Sequence, residues 1–173
     1  MTGVLLVGGA ARRFGSPKAL ARLGEETLAE RAWRLLGEVC EERLAIGKAG
    51  DDLALPFAVL EDETEVRAPL AGLVTGLRAA AHDVAVVLPV DCPLVTPALL
   101  LELADSCADA AVTQTGPLPG AFRKSALPVL ERRLAVGELA LRDALSELET
   151  RVVDADPALL VNVNTPDDLR GIR

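Results

Sequence analysis

Residues 4–18 read VLLVGGAARRFGSPK, and this stretch decides the fold. Four apolar residues predict a buried strand, and the chain then passes at once into glycines, two arginines and a lysine. Glycine has no Cβ and tolerates positive φ, so the backbone N–H groups of Gly8 and Gly9 can approach an anion closely. Arg13 and Lys18 add the formal charge that suits phosphate oxygens. A strand that opens into such a loop predicts a site for a polyphosphate.

The positive charge of this loop is local. Up to Gly24 the chain has three arginines, one lysine and no acid, although the whole protein carries a formal net charge of -8. The loop matches neither the Walker A spacing nor the G-x-G-x-x-G fingerprint, since five residues separate Gly9 from Gly15. The alternative interpretation is an ordinary glycine-rich turn with solvated arginines.

Length and composition set the broad class. A chain of 173 residues, half of them hydrophobic and a quarter charged, predicts one globular domain over residues 1–173. No stretch approaches the ~20 apolar residues of a membrane span, and the N-terminus enters a strand without a signal-peptide pattern, so we expect a cytoplasmic protein with no membrane partner. The acidic balance argues against nucleic acid as a partner.

Cysteine and histidine usage narrows the chemistry. Cys40, Cys92 and Cys107 are odd in number and far apart, so they predict buried small side chains rather than a disulfide framework or a zinc site. His82 is the sole histidine, which disfavours a histidine base or a His-rich metal site.

Strand-length apolar runs alternate with segments of helical period, which is typical of βαβ units on a parallel sheet. The fold class is therefore α/β. The strongest strand is 84–90, and Thr96-Pro97 and Thr165-Pro166 predict capped helix starts. The turn-rich segment 116–120 predicts a loop near the site.

Polar residues follow several predicted strands, where ligands bind in open α/β sheets. Asp91 directly follows 84–90 and predicts a Mg²⁺ ligand, with a plain turn aspartate as the alternative. Asn162 and Asn164 alternate along a predicted short strand, so both amides should point to one side; the alternative is an Asx turn that introduces the last helix. Asp62 follows the apolar run 57–60.

Taken together, four motifs resemble those of the molybdenum-cofactor guanylyltransferases and cover nearly the whole chain. The motifs are Val7-Gly-Gly-x-x-x-Arg13-x-Gly15-x-x-Lys18, Pro69-Leu-Ala-Gly72, Leu88-Pro-Val-Asp91-x-Pro93 and Asn162-Val-Asn164-Thr-Pro-x-Asp-Leu169. The resemblance implies a doubly wound, mostly parallel sheet of Rossmann-like (GT-A-like) nucleotidyltransferase type, in agreement with the α/β pattern.

The resemblance also implies a role for each matching residue. Leu6, Val7, Gly8, Gly9 and Asp62 would contact the nucleoside; Arg13, Gly15 and Lys18 the triphosphate; Asp91 the Mg²⁺; and Asn162 and Asn164 the acceptor. Arg13, Lys18 and Asp91 would carry the catalysis.

The implied reaction is transfer of GMP from GTP to the terminal phosphate of molybdopterin or the molybdenum cofactor, with release of pyrophosphate and with Mg²⁺ as cofactor. Proteins that deliver the cofactor or accept it are the implied partners. Pro17 stands where this family usually has Asp and is more typical of cytidylyltransferases. Transfer from CTP, a sugar-phosphate acceptor and a non-catalytic nucleotide-binding regulator therefore stay open as alternatives.

Overall fold

The computed structural model describes residues 1–8, 17–48, 50–51, 53–62 and 64–172. The strands are β1 (Thr2–Leu6), β2 (Arg22–Leu23), β3 (Glu26–Thr27), β4 (Glu42–Lys48), β5 (Val59–Asp62), β6 (Val84–Pro89), β7 (Ala110–Thr113), β8 (Gly116–Arg123) and β9 (Thr150–Val153). The helices are α1 (Leu28–Val39), α2 (Pro69–Ala79), α3 (Pro97–Ser106), α4 (Leu127–Ala135), α5 (Leu141–Ala144) and α6 (Pro166–Gly171). Short 3-10 helices span Lys18–Leu20, Lys124–Ala126, Leu145–Glu147 and Pro157–Leu160.

Seven of these strands form one sheet in the order β5-β4-β1-β6-β8-β7-β9, and β2 pairs with β3 in a small hairpin. β1 is parallel to both β4 and β6, and β5 is parallel to β4. β8 runs antiparallel to its neighbours β6 and β7, while β9 is parallel to β7. The predicted α/β fold with a mostly parallel sheet is therefore confirmed.

Helices cover both faces of the sheet, which explains why its central strands read as unbroken apolar runs. Along β1, Leu5 packs into the core shared with α1 and α3, whereas Val4 and Leu6 pack into the core shared with α2 and α4. Val4 and Leu5 are fully buried. Since successive side chains of a strand point to opposite faces, a central strand needs apolar residues at every position.

Glycines bring α2 unusually close to β1. A Cβ on Gly76 would lie 2.6 Å from Val4 Cγ1, and one on Gly72 would lie 2.9 Å from Leu6 Cδ2. Val4 is branched at Cβ and cannot move aside easily, so position 76 requires glycine, whereas a side chain at position 72 would have to displace the end of Leu6. The close packing fixes the first turn of α2, at Pro69, beside the carboxyl end of β1.

Two local predictions were wrong. The segment 116–120 is part of β8 rather than a loop: it follows β7 after a two-residue turn, and Gly120 pairs with both Val87 and Val112. A Cβ on Gly120 would lie 2.6 Å from the carbonyl oxygen of Pro117, so the turn-forming residue serves close packing inside the sheet. Residues 161–164 have no regular secondary structure, although a strand was predicted there.

The helix starts were predicted correctly. The Thr96 hydroxyl accepts from the backbone N–H of Leu99, and Thr165 forms a capping box with Asp168. Within the described part of the chain, the helices are too short or too polar to cross a bilayer.

Candidate functional site

A cleft of about 300 Å³ lies at the carboxyl edge of the parallel strands. β1, β4, β5 and β6 all end at this edge, and the first turn of α2 closes one side. The residues that line it are Leu6, Val7, Gly8, Lys18, Ile46, Gly47, Lys48, Asp62, Arg67, Ala68, Pro69, Gly72, Pro89, Val90, Asp91 and Leu118. Ligands of open α/β sheets bind at this edge, so the cleft is the candidate active site.

Gly8 leaves the end of β1 open to the cleft. Gly8 is exposed, whereas Leu6 and Val7 before it are buried core residues that also line the cleft. Its φ lies outside the left-handed region, so its missing side chain, rather than unusual backbone geometry, keeps the strand end accessible. Gly9, Arg13 and Gly15 lie outside the described residues, and their roles stay predictions.

Lys18 joins three distant parts of the sequence. It begins a 3-10 helix whose next residue, Ala19, is buried in the core, and its own side chain is 19% exposed. Lys18 Nζ lies 3.2 Å from Asp91 Oδ2 and donates to Asn164 Oδ1 at 3.1 Å. Three of the predicted site residues therefore lie in direct contact.

Asp91 occupies the strand end that was predicted. Val90 N still donates to the carbonyl of Leu6 at 3.3 Å, which extends the β1–β6 pairing to the edge of the cleft. The backbone carbonyl of Asp91 accepts from Val163 N at 2.8 Å, and this bond fastens the irregular segment 161–164 beside β6. The carboxylate is 27% exposed and lines the cleft.

Asn162 and Asn164 reach the site by different routes, since the segment is not a strand. The amide oxygen of Asn162 accepts from the thiol of Cys92 at 3.0 Å, while that of Asn164 accepts from Lys18. Burial raises the pKa of the Cys92 thiol, so it stays a protonated donor at neutral pH. Cys92 and Cys107 are buried as predicted, whereas Cys40 is only partly buried because it follows the end of α1; the contact of Cys92 with Asn162 adds a polar role.

Asn164 does not cap the last helix. Thr165 provides the cap, and the Asn164 backbone N–H donates to Asp168 Oδ2 at 2.7 Å. That hydrogen bond, followed by a second from Thr165 N, lowers the pKa of Asp168. The side chain of Asn164 is consequently left to Lys18, and the Asx-turn alternative does not describe it.

Asp62 is buried and held by its neighbours in this structure. Lys48 Nζ donates to Asp62 Oδ2 at 2.7 Å, and Thr64 N donates to Oδ1 at 2.9 Å. Lys48 also donates to the carbonyl and hydroxyl oxygens of Thr64, at 2.8 and 3.1 Å. These bonds tie Thr64 to the ends of β4 and β5. The expected contact between Asp62 and a nucleoside stays a prediction.

Three charged residues near the cleft were missed by sequence reasoning. Lys48 is the last residue of β4, just as Asp91 lies at the end of β6. The search for polar residues at strand ends, which identified Asp91, could therefore have found Lys48 as well. Arg67 lines the cleft from the β5–α2 connection and pairs with Asp51 at 3.0 Å. Arg67 and Asp51 belong to no sequence motif. Charged residues in loops are usually solvated, so the sequence alone does not single them out.

Among the residues that the structure describes, no three His, Cys, Asp or Glu side chains cluster as a metal site. Asp91 lines the Lys18 end of the cleft with its carboxylate, whereas the amide oxygens of Asn164 and Asn162 lie outside the lining and connect to it through Lys18 and Cys92. Such hard oxygen ligands suit Mg²⁺, which uses one or two carboxylates and completes its shell with substrate phosphates and water.

Comparison with known proteins shows the family to which the chain belongs. A family model described as the MobA-like NTP transferase domain matches residues 3–152. A protein of Chloroflexus aggregans named "Probable molybdenum cofactor guanylyltransferase" is 37% identical over 98% of this chain and 92% of its own length. A Pseudomonas putida protein named "Molybdenum cofactor guanylyltransferase" is 33% identical over 96% of this chain and 94% of its own.

Solved structures share the fold. The molybdopterin-guanine dinucleotide biosynthesis protein A of Archaeoglobus fulgidus superposes with a TM-score of 0.84 at 24% identity, over 99% of this chain and 96% of that one. The 2-C-methyl-D-erythritol 4-phosphate cytidylyltransferase of Thermus thermophilus has a TM-score of 0.74 at 20% identity, over 97% and 95% of the two chains.

Proposed function

This chain belongs to the MobA-like NTP transferase domain family, and from that premise we propose that it transfers GMP from GTP to the terminal phosphate of molybdopterin or the molybdenum cofactor. As a member of the family it is a nucleotidyltransferase. The observation that carries the proposal is the contact of Lys18 with both Asp91 and Asn164, which joins a cation for the triphosphate, a carboxylate for a metal and an amide for the acceptor.

The choice of guanine and of the cofactor rests on the relatives. Two proteins that match nearly the whole chain at 37% and 33% identity carry the name molybdenum cofactor guanylyltransferase. The motifs that carry the resemblance include Lys18, Asp91, Asn162 and Asn164: Lys18 contacts Asp91 and Asn164 directly, and Asn162 joins them through the thiol of Cys92.

Mg²⁺ fits the residues at this end of the cleft. Asp91 is the carboxylate that would hold it, because it lines the cleft beside Lys18. When bound, Mg²⁺ supplies Lewis-acid polarisation of phosphate oxygens and neutralises charge that develops on them. The same carboxylate is balanced by Lys18 in the described structure.

The reaction needs no protein nucleophile. A terminal phosphate oxygen of the acceptor attacks the α-phosphorus of GTP in line, the new P–O bond forms, and the bond to the β-phosphate oxygen breaks to release pyrophosphate. Lys18 is placed to bind phosphate oxygens, and Asn164 orients the lysine through its amide oxygen. Catalysis by this chain is therefore positioning and electrostatic stabilisation.

The buried thiol of Cys92 contributes by orientation. It donates to Asn162 Oδ1, which fixes the amide so that its NH₂ group faces away from the sulfur. An amide donor held in this way is suited to the oxygens of an acceptor phosphate. We therefore assign Asn162 to the acceptor and Cys92 to its positioning.

A transfer assay tests the proposal. The purified chain is incubated with Mg²⁺, molybdopterin or molybdenum cofactor, and either GTP or CTP at equal concentration, and the dinucleotide product and pyrophosphate are measured. We expect product from GTP in excess of product from CTP, in equal amounts with pyrophosphate. Faster transfer from CTP would identify a cytidylyltransferase, and nucleotide binding without turnover would identify a regulator; either result contradicts the proposal.

A further inference from the structure

Asp51 stands beside Gly8 at the rim of the cleft. A Cβ built on Gly8 would lie 3.5 Å from Asp51 Oδ2, so this carboxylate oxygen faces the open end of β1. Asp51 is not itself among the residues that line the cleft, but it hydrogen-bonds to Lys48 and Arg67, and both of these line the cleft together with Gly8.

A turn after β4 and an ion pair hold Asp51 in this place. Gly50 adopts a left-handed φ of 81°, which a side chain would disfavour, and Asp51 N donates to the carbonyl of Lys48 at 3.2 Å to close the turn after β4. The ion pair with Arg67 holds its carboxylate, so both the backbone and the side chain of Asp51 are bonded to residues that line the cleft.

Arg67 neutralises the negative charge of Asp51, which would otherwise repel the phosphates of a nucleotide. Its guanidinium lies 3.0 Å from Asp51 Oδ1, so the pair is neutral and does not repel a triphosphate. The contact with Arg67 occupies one acceptor site of Oδ1, so Oδ1 retains a second site, and Oδ2, the oxygen nearest to Gly8, has acceptor sites of its own. Asp51 is also only 19% exposed, which strengthens hydrogen bonds to it relative to those of a solvated carboxylate.

The order of the strands places different residues at the two ends of the cleft. β4 and β6 flank β1 on opposite sides, so Asp51 lies on one side of Gly8, while Lys18 and Asp91 lie on the other. A nucleotide with its phosphates at Lys18 and its sugar near Gly8 would extend its base toward the β4 side. Asp62 lies on that side too, but its side chain is only 3% exposed and both of its oxygens bond to Lys48 and Thr64, so it is less accessible to a base than Asp51.

Of the common bases, guanine presents two adjacent donors, N1–H and the 2-amino group, which match the two oxygens of one carboxylate. Cytosine, uracil and adenine each place an acceptor where guanine has one of these donors. We propose that Asp51 is a specificity-determining residue that accepts both hydrogen bonds from the guanine edge, with Arg67 holding it in position. This inference rests on the proposed function, since it names the group that selects GTP.

Calorimetric titration with nucleotide analogues in Mg²⁺ tests the inference without any turnover. ITP lacks the 2-amino group, and XTP replaces it with a carbonyl. We expect the wild-type chain to bind GTP at least roughly tenfold more tightly than ITP, because a hydrogen bond to a charged group is lost. Asp51→Asn should abolish the GTP-over-ITP preference and raise the affinity for XTP, whose carbonyl accepts from the new amide.

Asp83→Asn is the matched control. Asp83 is likewise an aspartate paired with one arginine, Arg123, at 2.6 Å, but it precedes β6 at the opposite edge of the sheet. Its variant should bind GTP, ITP and XTP as the wild type does, and equal melting temperatures would establish that both variants fold. An unchanged GTP-to-ITP ratio in Asp51→Asn would overturn the inference alone. A wild-type chain that binds CTP more tightly than GTP would overturn the proposed function and this inference with it.

Discussion

Replacing Lys18 with alanine should weaken nucleotide binding without weakening the binding of Mg²⁺ alone. The ammonium lies 3.2 Å from Asp91 Oδ2 and 3.1 Å from Asn164 Oδ1 and is 19% exposed, so it is a partly desolvated cation at the phosphate end of the cleft. Its removal takes away a donor to phosphate oxygens. The same removal leaves Asp91 without its cation, and an uncompensated carboxylate binds Mg²⁺ at least as well.

The expected loss of GTP affinity follows from the energy of one hydrogen bond to a charged group. A hydrogen bond to a charged group contributes about 1.5–3 kcal/mol, so affinity for GTP should fall roughly 10- to 150-fold. Arg22 supplies the control, because it lies on the exposed β2–β3 hairpin and donates to the backbone carbonyl of Glu25. A solvated surface charge contributes ~0–1 kcal/mol, so Arg22→Ala should change affinity less than about fivefold.

Isothermal titration with GTP in Mg²⁺, and with Mg²⁺ alone, measures both quantities for Lys18→Ala, Arg22→Ala and the wild type. Unequal losses in GTP affinity, with Mg²⁺ affinity retained in Lys18→Ala, are expected. Equal losses in the two variants would mean that the lysine acts as general surface charge, and the reasoning from its contacts would be refuted.

Three further substitutions probe the rest of the site. Asp91→Asn should preserve the melting temperature but reduce turnover by at least roughly 100-fold, since each ~1.4 kcal/mol of lost transition-state stabilisation is tenfold; near-normal steady-state rates would remove it from catalysis. Asn162→Ala should raise KM for the acceptor and leave GTP affinity unchanged, with Cys92→Ala showing a smaller effect of the same kind; a change confined to stability would make both residues structural. Gly8→Ala should leave stability unchanged, because the nearest atom would be Asp51 Oδ2 at an ordinary 3.5 Å, but should lower GTP affinity in a titration by covering that oxygen; unaltered affinity would separate Gly8 from the base.

The central sheet was predictable because its strands are buried on both faces. Burial of that kind demands apolar residues at consecutive positions, as in 84–90, and the strand end then identifies Asp91 without any contact information. The capped starts at Thr96 and Thr165 were predictable for a similar reason, since capping is decided within three or four residues.

The predictions that were wrong concern residues whose structure depends on contacts with distant parts of the sequence. Segment 116–120 has turn residues, yet it is a strand because β6 and β7 pair with it. Asn162 and Asn164 were expected to share one face of a strand, but they meet the site through Cys92 and Lys18 on other elements. Asp51 could not be found from sequence, because its proposed role depends on its distance to Gly8.

The most direct test of the account is a crystal structure of this chain with Mg²⁺ and a non-hydrolysable GTP analogue. The account predicts a metal ion bound to the carboxylate of Asp91 and to phosphate oxygens, with Lys18 Nζ within about 3.2 Å of a phosphate oxygen as for other charge-assisted hydrogen bonds. Electron density for the triphosphate that lies away from both Lys18 and Asp91 would contradict it.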